Sequence, residues 1–192
     1  MSGGSLAALP AALLAAFPAE SLAESLAAPD GAPPAALAGL AAWLASTGPA
    51  VAMRANAWLY PAVETAHILG FVLLVGAVAM FDLRVLGFGR ALPPRELARH
   101  LLPWSAGSLL VVVPSGLLLF SAQAAEMVRN PVFLLKMGLV MVAGSNALAF
   151  HLGPWWRSGG AGMPTVAARV HAAVSLLVWI AVITCGRMLA YV

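Results

Sequence analysis

The sequence predicts an all-α integral membrane protein, an antiparallel four-helix bundle with an N-terminal interfacial helix. Three observations predict this class. Of the 192 residues, 62% are hydrophobic and only 9% are charged, whereas soluble domains have about 25% charged residues. The mean hydropathy is high, at +0.94. Third, four stretches contain no Asp, Glu, Lys or Arg, and together with the residues next to them they are long enough to cross a bilayer. These stretches are 65–81, 101–125, 137–150 and 170–186.

The N-terminal part divides into two segments that precede the bundle. Residues 1–34 are rich in Ala, Ser and Pro and end in PDGAPP, which predicts a mobile or surface-lying tail. Residues 35–56 are predicted to be an interfacial amphipathic segment. A helix over 35–46 that lies in the membrane interface is the preferred interpretation, and a fifth span is the alternative.

Residues 57–192 are predicted to form the four-span transmembrane bundle. Trp58, Tyr60 and Pro61 mark the start of the first span, with aromatic side chains at interfacial depth. Asn130-Pro131 begins the third span, and Gly153-Pro154 ends it. The spans are expected at about 57–82, 97–122, 131–152 and 165–190.

The basic residues predict the orientation of the bundle. The loops after the first and third spans and their flanks hold six of them: Arg84, Arg90, Arg95, Arg99, Arg157 and Arg169. The opposite side holds four: Arg54, Arg129, Lys136 and Arg187. The excess places these loops in the cytoplasm, for a multi-pass membrane protein. The net charge of +3 is small and sits at helix ends, which is not a nucleic-acid-binding pattern.

Each apolar stretch carries one histidine within it or at its edge. His100, His151 and His171 lie on the loop side, whereas His67 lies on the other side, about 9 Å inside Pro61. A haem b with two histidine ligands needs imidazoles at similar depth on facing helices. Because a short loop joins the third and fourth spans, we expect His151 to pair with His171, with His100 as the alternate ligand.

Other interpretations of these residues stay open. A histidine at a span end can lie among lipid headgroups, and His67, His151 and His171 can also serve as ligands of iron, zinc or copper. Lys136 and Arg187 are candidates for contacts with haem propionates or for a proton path. Both can instead extend to the membrane surface, and Lys136 can form a salt bridge with Glu64 or Glu126.

Three strings carry a resemblance to known families: WLYPAVETAHILGFVLLVGAVAMFDLRVLG, NPVFLLKMGLVMVAGSNALAFH and CGRMLAY. They resemble a bacterial four-span inner-membrane family of unknown function, over about residues 57–191. More distantly, the chain is similar to HemJ-type protoporphyrinogen oxidases and CopD-type copper-resistance membrane domains. The HemJ resemblance implies a bound haem b, with His67 and Lys136 in functional roles and His151 as the third-span histidine.

The chain departs from the HemJ pattern at the end of the fourth span, and it adds His100 and His171. Porphyrinogen oxidation is therefore not carried over, and the question of enzyme activity stays open. We expect a haem b protein in electron transport, of the oxidoreductase class. Its expected partners are the lipid bilayer, a quinone, and other membrane or periplasmic redox subunits. The alternatives are a haem-free accessory subunit of a larger complex and a copper transport element.

Overall fold

The computed structural model describes residues 35–89, 91–160 and 162–191, and all regular structure within them is helical. This confirms the predicted all-α class. The predicted tail over 1–34 lies outside the described residues. The helices are α1 Ala35–Ser46, α2 Gly48–Ala55, α3 Leu59–Leu86, α4 Pro94–Ala122, α5 Ala124–Met127, α6 Pro131–Leu152, α7 Pro154–Arg157 and α8 Val166–Met188.

Four of these helices are long and apolar enough to cross a membrane: α3, α4, α6 and α8, called spans 1 to 4 below. The shortest has 22 residues, and at about 1.5 Å per residue it exceeds a hydrocarbon core of roughly 30 Å. Most of the large apolar side chains on their outer faces are exposed, as expected for a surface in contact with lipid. The chain is therefore a multi-pass membrane protein.

The spans pack in the order 2, 1, 4, 3. The expected contact between spans 3 and 4 is confirmed. Spans 2 and 3 approach each other mainly near their ends, where the rings of Phe120 and Phe133 stack with centroids 5.4 Å apart. At the opposite end, Arg95 Nη1 donates to the carbonyl of Gly159 in the loop after span 3, at 3.3 Å.

Spans 1 and 2 pack closely because glycines remove side chains from their contact. A Cβ on Gly70 of span 1 would lie 2.9 Å from Val112 Cγ2 of span 2. In the other direction, a Cβ on Gly116 of span 2 would lie 3.0 Å from His67 Cε1. Such small residues allow membrane helices to approach at short distance. His67 is thereby held directly against the backbone of span 2.

Local capping determines where the spans begin and end. Gly87, with φ of 115°, ends span 1 in the left-handed conformation that glycine adopts without strain. Asn130 accepts from the backbone N–H of Val132 and Phe133 and begins span 3. Thr165 accepts from Ala168 N at 3.2 Å and begins span 4. The end of the bundle with the connections over 87–93 and 153–165 is called the loop end here, and the opposite end is the cap end.

Helices α1 and α2 pack at the cap end, with 65° between them. Ala41 of α1 is buried with Ala124 and Val128 after span 2. Arg54 of α2 donates to the carbonyls of Ala122 and Ala45, at 3.3 and 2.6 Å. A guanidinium group is favourable there because helix C-termini carry partial negative charge. By length and composition the pair also qualifies as one broken span, so both alternatives for this segment stay open.

The orientation is testable at Ser158, an exposed residue at the loop end. In a chain whose single cysteine is replaced by Cys185→Ala, we expect Ser158→Cys to be shielded from an impermeant thiol reagent added outside intact cells. The arginine excess predicts that this loop is cytoplasmic. Ala125→Cys, exposed at the cap end, is the matched control and should react. Labelling of Ser158→Cys with protection of Ala125→Cys would reverse the orientation.

Candidate functional site

The loop end contains an aromatic core that surrounds one of the candidate histidines. Its buried residues come from all four spans and the loop after span 3: Phe81, Val85, Ala98, Phe150, Trp155, Ala168 and Ala172. The Phe150 ring lies at its centre, with edge contacts to Phe81 at 5.6 Å and to His171 at 6.5 Å. His171 is thereby placed at the boundary between spans 3 and 4, and it is half-buried.

His171 and Asn146 are joined by a pair of hydrogen bonds across spans 3 and 4. Asn146 Nδ2 donates to the backbone carbonyl of His171 at 2.9 Å. Because that carbonyl can only accept, the amide nitrogen must face it, and the amide oxygen must face the ring. His171 Nδ1 lies 2.8 Å from Asn146 Oδ1, so Nδ1 carries the proton and donates. The neutral ring therefore has its lone pair on Nε2.

His67 is held in the same way between spans 1 and 2. Its Nδ1 lies 3.1 Å from the carbonyl oxygen of Val112 and 3.0 Å from Ser115 Oγ. The Ser115 hydroxyl uses its hydrogen on the carbonyls of Val111 and Val112, so it accepts from the ring. Both partners of Nδ1 are acceptors, and Nδ1 must carry the proton. Pro114 lies in this turn of span 2 and lacks a backbone N–H. In membrane helices, neighbouring side chains commonly satisfy the backbone groups that a proline leaves without a partner.

The two half-buried histidines therefore present the same chemical group. In each, Nδ1–H is satisfied by oxygen from the adjacent span, and Nε2 has no hydrogen-bond partner among the described residues. An imidazole whose Nδ1–H is held by a carbonyl or carboxamide oxygen is the form in which histidine ligates iron and other metals through Nε2. The arrangement fits an axial haem ligand at both positions.

His151 and His100 have different surroundings. His151 is exposed, and its Nδ1 lies 2.7 Å from the carbonyl of Ala147 on its own helix. Its ring contacts Phe150 at 5.6 Å and Trp156 at 5.3 Å. Phe150 thus adjoins both His151 and His171, the predicted ligand pair. His100 is exposed and makes no hydrogen bond with the described part of the chain.

Lys136 of span 3 lies near the cap end and points towards span 4. A Cβ on Gly186 would lie 3.6 Å from its Nζ, and Lys136 lies within electrostatic range of His67. Lys136 is half-buried, and among the described residues it forms no ion pair; Glu64 and Glu126 are both exposed. The alternative of a salt bridge to either glutamate is therefore not what the structure shows. A lone ammonium at this depth is costly.

Arg187 is exposed near the cap end of span 4. It donates to the Tyr191 hydroxyl, and its guanidinium carbon lies 4.7 Å from the centroid of the Tyr191 ring. Arg187 therefore contacts a residue that lies four positions further along the chain. The contact is that of a side chain extending to the membrane surface.

The candidate residues form two layers. The ring of Phe71, stacked 6.3 Å from His67, meets Trp179 of span 4 at 5.7 Å, which places these two aromatic residues at one level. His67 lies one turn towards the cap end, and His171 lies eight residues towards the loop end. The two rings therefore lie several helical turns apart along the bundle axis. Aromatic side chains occupy the interior between them.

Two polar residues of this interior were missed in the sequence, Ser115 and Asn146, and the burial of a third, Asp82, was not foreseen. Asn146 is the only amide in the uncharged run 137–150, and a lone amide in a membrane span is itself a signal of a hydrogen-bond partner. Asp82 is buried inside the bundle although it is close to the end of its span. Ser115 gives no such signal, because serines are common in membrane helices and usually bond to their own backbone.

Within the described ranges, no three His, Cys, Asp or Glu side chains come together as ligands for a bare metal ion. Comparison with protein-family models gives one result: a family of unknown function, DUF6644, matches residues 54–192. No curated protein and no solved structure matches the chain. The match covers all four spans and leaves out α1 and most of α2.

The hydrogen bonds between Asn146 and His171 are testable by stability. We expect Asn146→Ala to lower the free energy of unfolding in detergent by about 1 kcal/mol, since hydrogen bonds between membrane helices contribute up to roughly that amount. Ser145→Ala, an exposed neighbour on the same helix, should leave it unchanged. Equal stabilities of the two variants would show that the contact does not hold spans 3 and 4 together.

Proposed function

We propose that this chain, which belongs to the DUF6644 family, binds haem b and transfers electrons in a bacterial inner membrane. One observation carries the proposal. His67 and His171 each lie half-buried in a span, with Nδ1–H held by the neighbouring span and Nε2 without a partner among the described residues. A neutral imidazole held through Nδ1–H keeps its lone pair on Nε2, and that lone pair is what a haem iron would bind.

The cap-end layer supplies a ligand and a cation. His67 Nε2 is the ligand, and its ring cannot turn freely because Gly116 and Phe71 adjoin it. Lys136 supplies a positive charge at comparable depth without a carboxylate to pair with it among the described residues. A haem propionate is an anion of the kind that such an ammonium requires. The position of Arg187 near the same end makes it a second propionate candidate.

The loop-end layer supplies His171 as its anchored ligand. His151 is proposed as the ligand on the opposite face, because Phe150 adjoins both rings, and His100 remains the alternate. A haem b bound at either layer would supply a one-electron carrier. The protein's own contribution is to fix the tautomer and orientation of each imidazole, to exclude water with apolar spans, and to neutralise propionates.

The resemblance to HemJ-type proteins also supports the proposal, because it assigns functional roles to His67 and Lys136, and in this structure Lys136 lies within electrostatic range of His67. The electron donor or acceptor is proposed to be a quinone or a partner redox subunit, because an electron carrier within the bilayer requires one. A haem-free accessory subunit and a copper transport element are the other possible functions, and metal and haem analysis separates them.

The ligands are testable by haem content per chain. We expect His171→Ala to abolish or strongly reduce the b-type haem of the loop-end layer, because the iron loses an axial ligand. His67→Ala should lower haem content at the cap end while the bundle stays folded, as checked by circular dichroism. Conversion to the pyridine haemochrome measures the content. Full haem content in both folded variants would reject the proposed ligands.

Matched glycines in span 2 provide a more conservative test. A Cβ on Gly116 would lie 3.0 Å from His67 Cε1, whereas a Cβ on Gly107 of the same helix meets nothing within 4 Å. We expect Gly116→Ala to displace the His67 ring and shift the absorption of the cap-end haem. Gly107→Ala should leave the spectrum as in the unaltered protein. Identical spectra for both variants would mean that His67 does not contact a haem.

A further inference from the structure

Asp82 of span 1 is a buried carboxyl group that the proposed haem sites do not use. Its side chain is only 6% exposed, and Ser175 of the facing span 4, itself buried, lies beside it. The second carboxyl oxygen, Oδ2, has no hydrogen-bond partner among the described residues. Buried polar atoms without a partner are rare and call for a physical explanation. Here the atom belongs to an ionisable group.

The surroundings of Asp82 do not stabilise a negative charge. Its neighbours along the buried face, Phe81 and Val85, are 5% and 0% exposed, and across the contact Ala172 is 1% exposed. Asp82 forms no ion pair with any described residue. A lone carboxylate in such surroundings carries a desolvation cost of several kcal/mol, which one hydroxyl donor does not offset.

The other titratable and charged groups at this level form no ion pair with Asp82. Arg84 of the same span donates to the carbonyl of Leu92. On span 4, His171 bonds to Asn146, and Arg169 is half-buried, with its Nε without a hydrogen-bond partner among the described residues. The groups of spans 2 and 3 at this level are all exposed: Arg95, Glu96, Arg99, His100 and His151. None of them supplies a counter-charge to Asp82 in the described part of the chain.

Asp82 lies close to the loop end of its span. Span 1 ends at Leu86, four residues further on, so the carboxyl lies about 6 Å from the end of the helix. The exposed residues Phe88 and Gly89 follow. The loop-end core also contains an unpartnered donor, Trp155 Nε1. A carboxyl group this close to the aqueous phase can exchange a proton with it.

We propose that Asp82 is a proton-binding site, whose carboxyl group takes up a proton on Oδ2 from the aqueous phase at the loop end. The carboxylate and one proton give the neutral acid, and no other atom or electron is involved. Ser175 lies beside the carboxyl group on span 4. A proton suits this site better than a metal cation does, because Na⁺ or K⁺ requires several oxygen ligands and, within the described ranges, Ser175 is the side chain that places a hydroxyl beside Asp82.

Infrared spectroscopy of the full chain in lipid vesicles tests the proposal. The chain has two aspartates, Asp30 and Asp82. In Asp30→Asn protein grown with carboxyl-¹³C aspartate, isotope-shifted carboxyl bands therefore report on Asp82 without altering it. We expect a carboxylic acid C=O band that shifts in deuterated water and loses intensity as the pH is raised. A carboxylate band at every pH tested would overturn the proposal.

Two comparisons make the result specific. Ser175→Ala should shift the acid band to higher wavenumber, because the carboxyl group loses its hydrogen-bond donor; an unshifted band would remove Ser175 from the site. Glu96→Gln alters an exposed carboxyl group at the same end and should leave the aspartate band unchanged. Conversion of the acid band to a carboxylate band on addition of NaCl or KCl at constant pH would identify a cation site and reject the proton site. None of these measurements depends on bound haem. Their outcome therefore tests the proton site separately from the proposed function.

Discussion

An imidazole N–H inside a membrane bundle must find an acceptor in the protein, because lipid chains offer none. This requirement organises the interior of the bundle. His67 satisfies it against the backbone and Ser115 of span 2, and His171 satisfies it against Asn146 of span 3. The bundle is thus built from two hydrogen-bonded helix pairs, 1 with 2 and 3 with 4. Spans 1 and 4 join the pairs through aromatic contacts and through Asp82 with Ser175.

The same hydrogen bonds connect structure with proposed function. A polar contact between helices and a cofactor ligand are often treated as alternatives for a membrane histidine. Here one nitrogen serves the contact, and by doing so it determines the tautomer that leaves the other nitrogen available. Lys136 adds an ammonium group with no carboxylate partner among the described residues. A haem b, as proposed, would meet these groups with its iron and its propionates.

The spans and their neighbours were predictable, because both follow from local properties. Uncharged runs specify membrane helices, and the short connection between spans 3 and 4 requires them to be adjacent. The side-chain contacts between spans were harder to predict from the sequence. Each span is apolar on nearly all faces, so periodicity does not reveal which face is directed inward. The contacts of His67 with Ser115, of His171 with Asn146 and of Asp82 with Ser175 depend on that rotation.

The cap-end segment shows a different reason for incomplete prediction. The sequence predicts an interfacial segment over 35–56 with a helix over 35–46, and α1 has those bounds. The second helix, α2, at 65° to α1, was not predicted. The interruption at Ser46–Pro49 was visible, but the partner of Arg54 was not. Its guanidinium group bonds to the last carbonyl of span 2 and to a carbonyl of α1. A contact across 68 residues is determined by tertiary packing and leaves no local signal in the sequence.

The central claim is that the anchored histidines hold haem b. Its most direct test is the absorption spectrum of the unaltered protein, purified from membranes with sufficient haem supply and recorded oxidised and reduced. The account predicts a reduced-minus-oxidised difference spectrum of b type, with haem and protein in a stoichiometric ratio. A folded protein without haem absorption, isolated together with its native membrane partners, would contradict the claim.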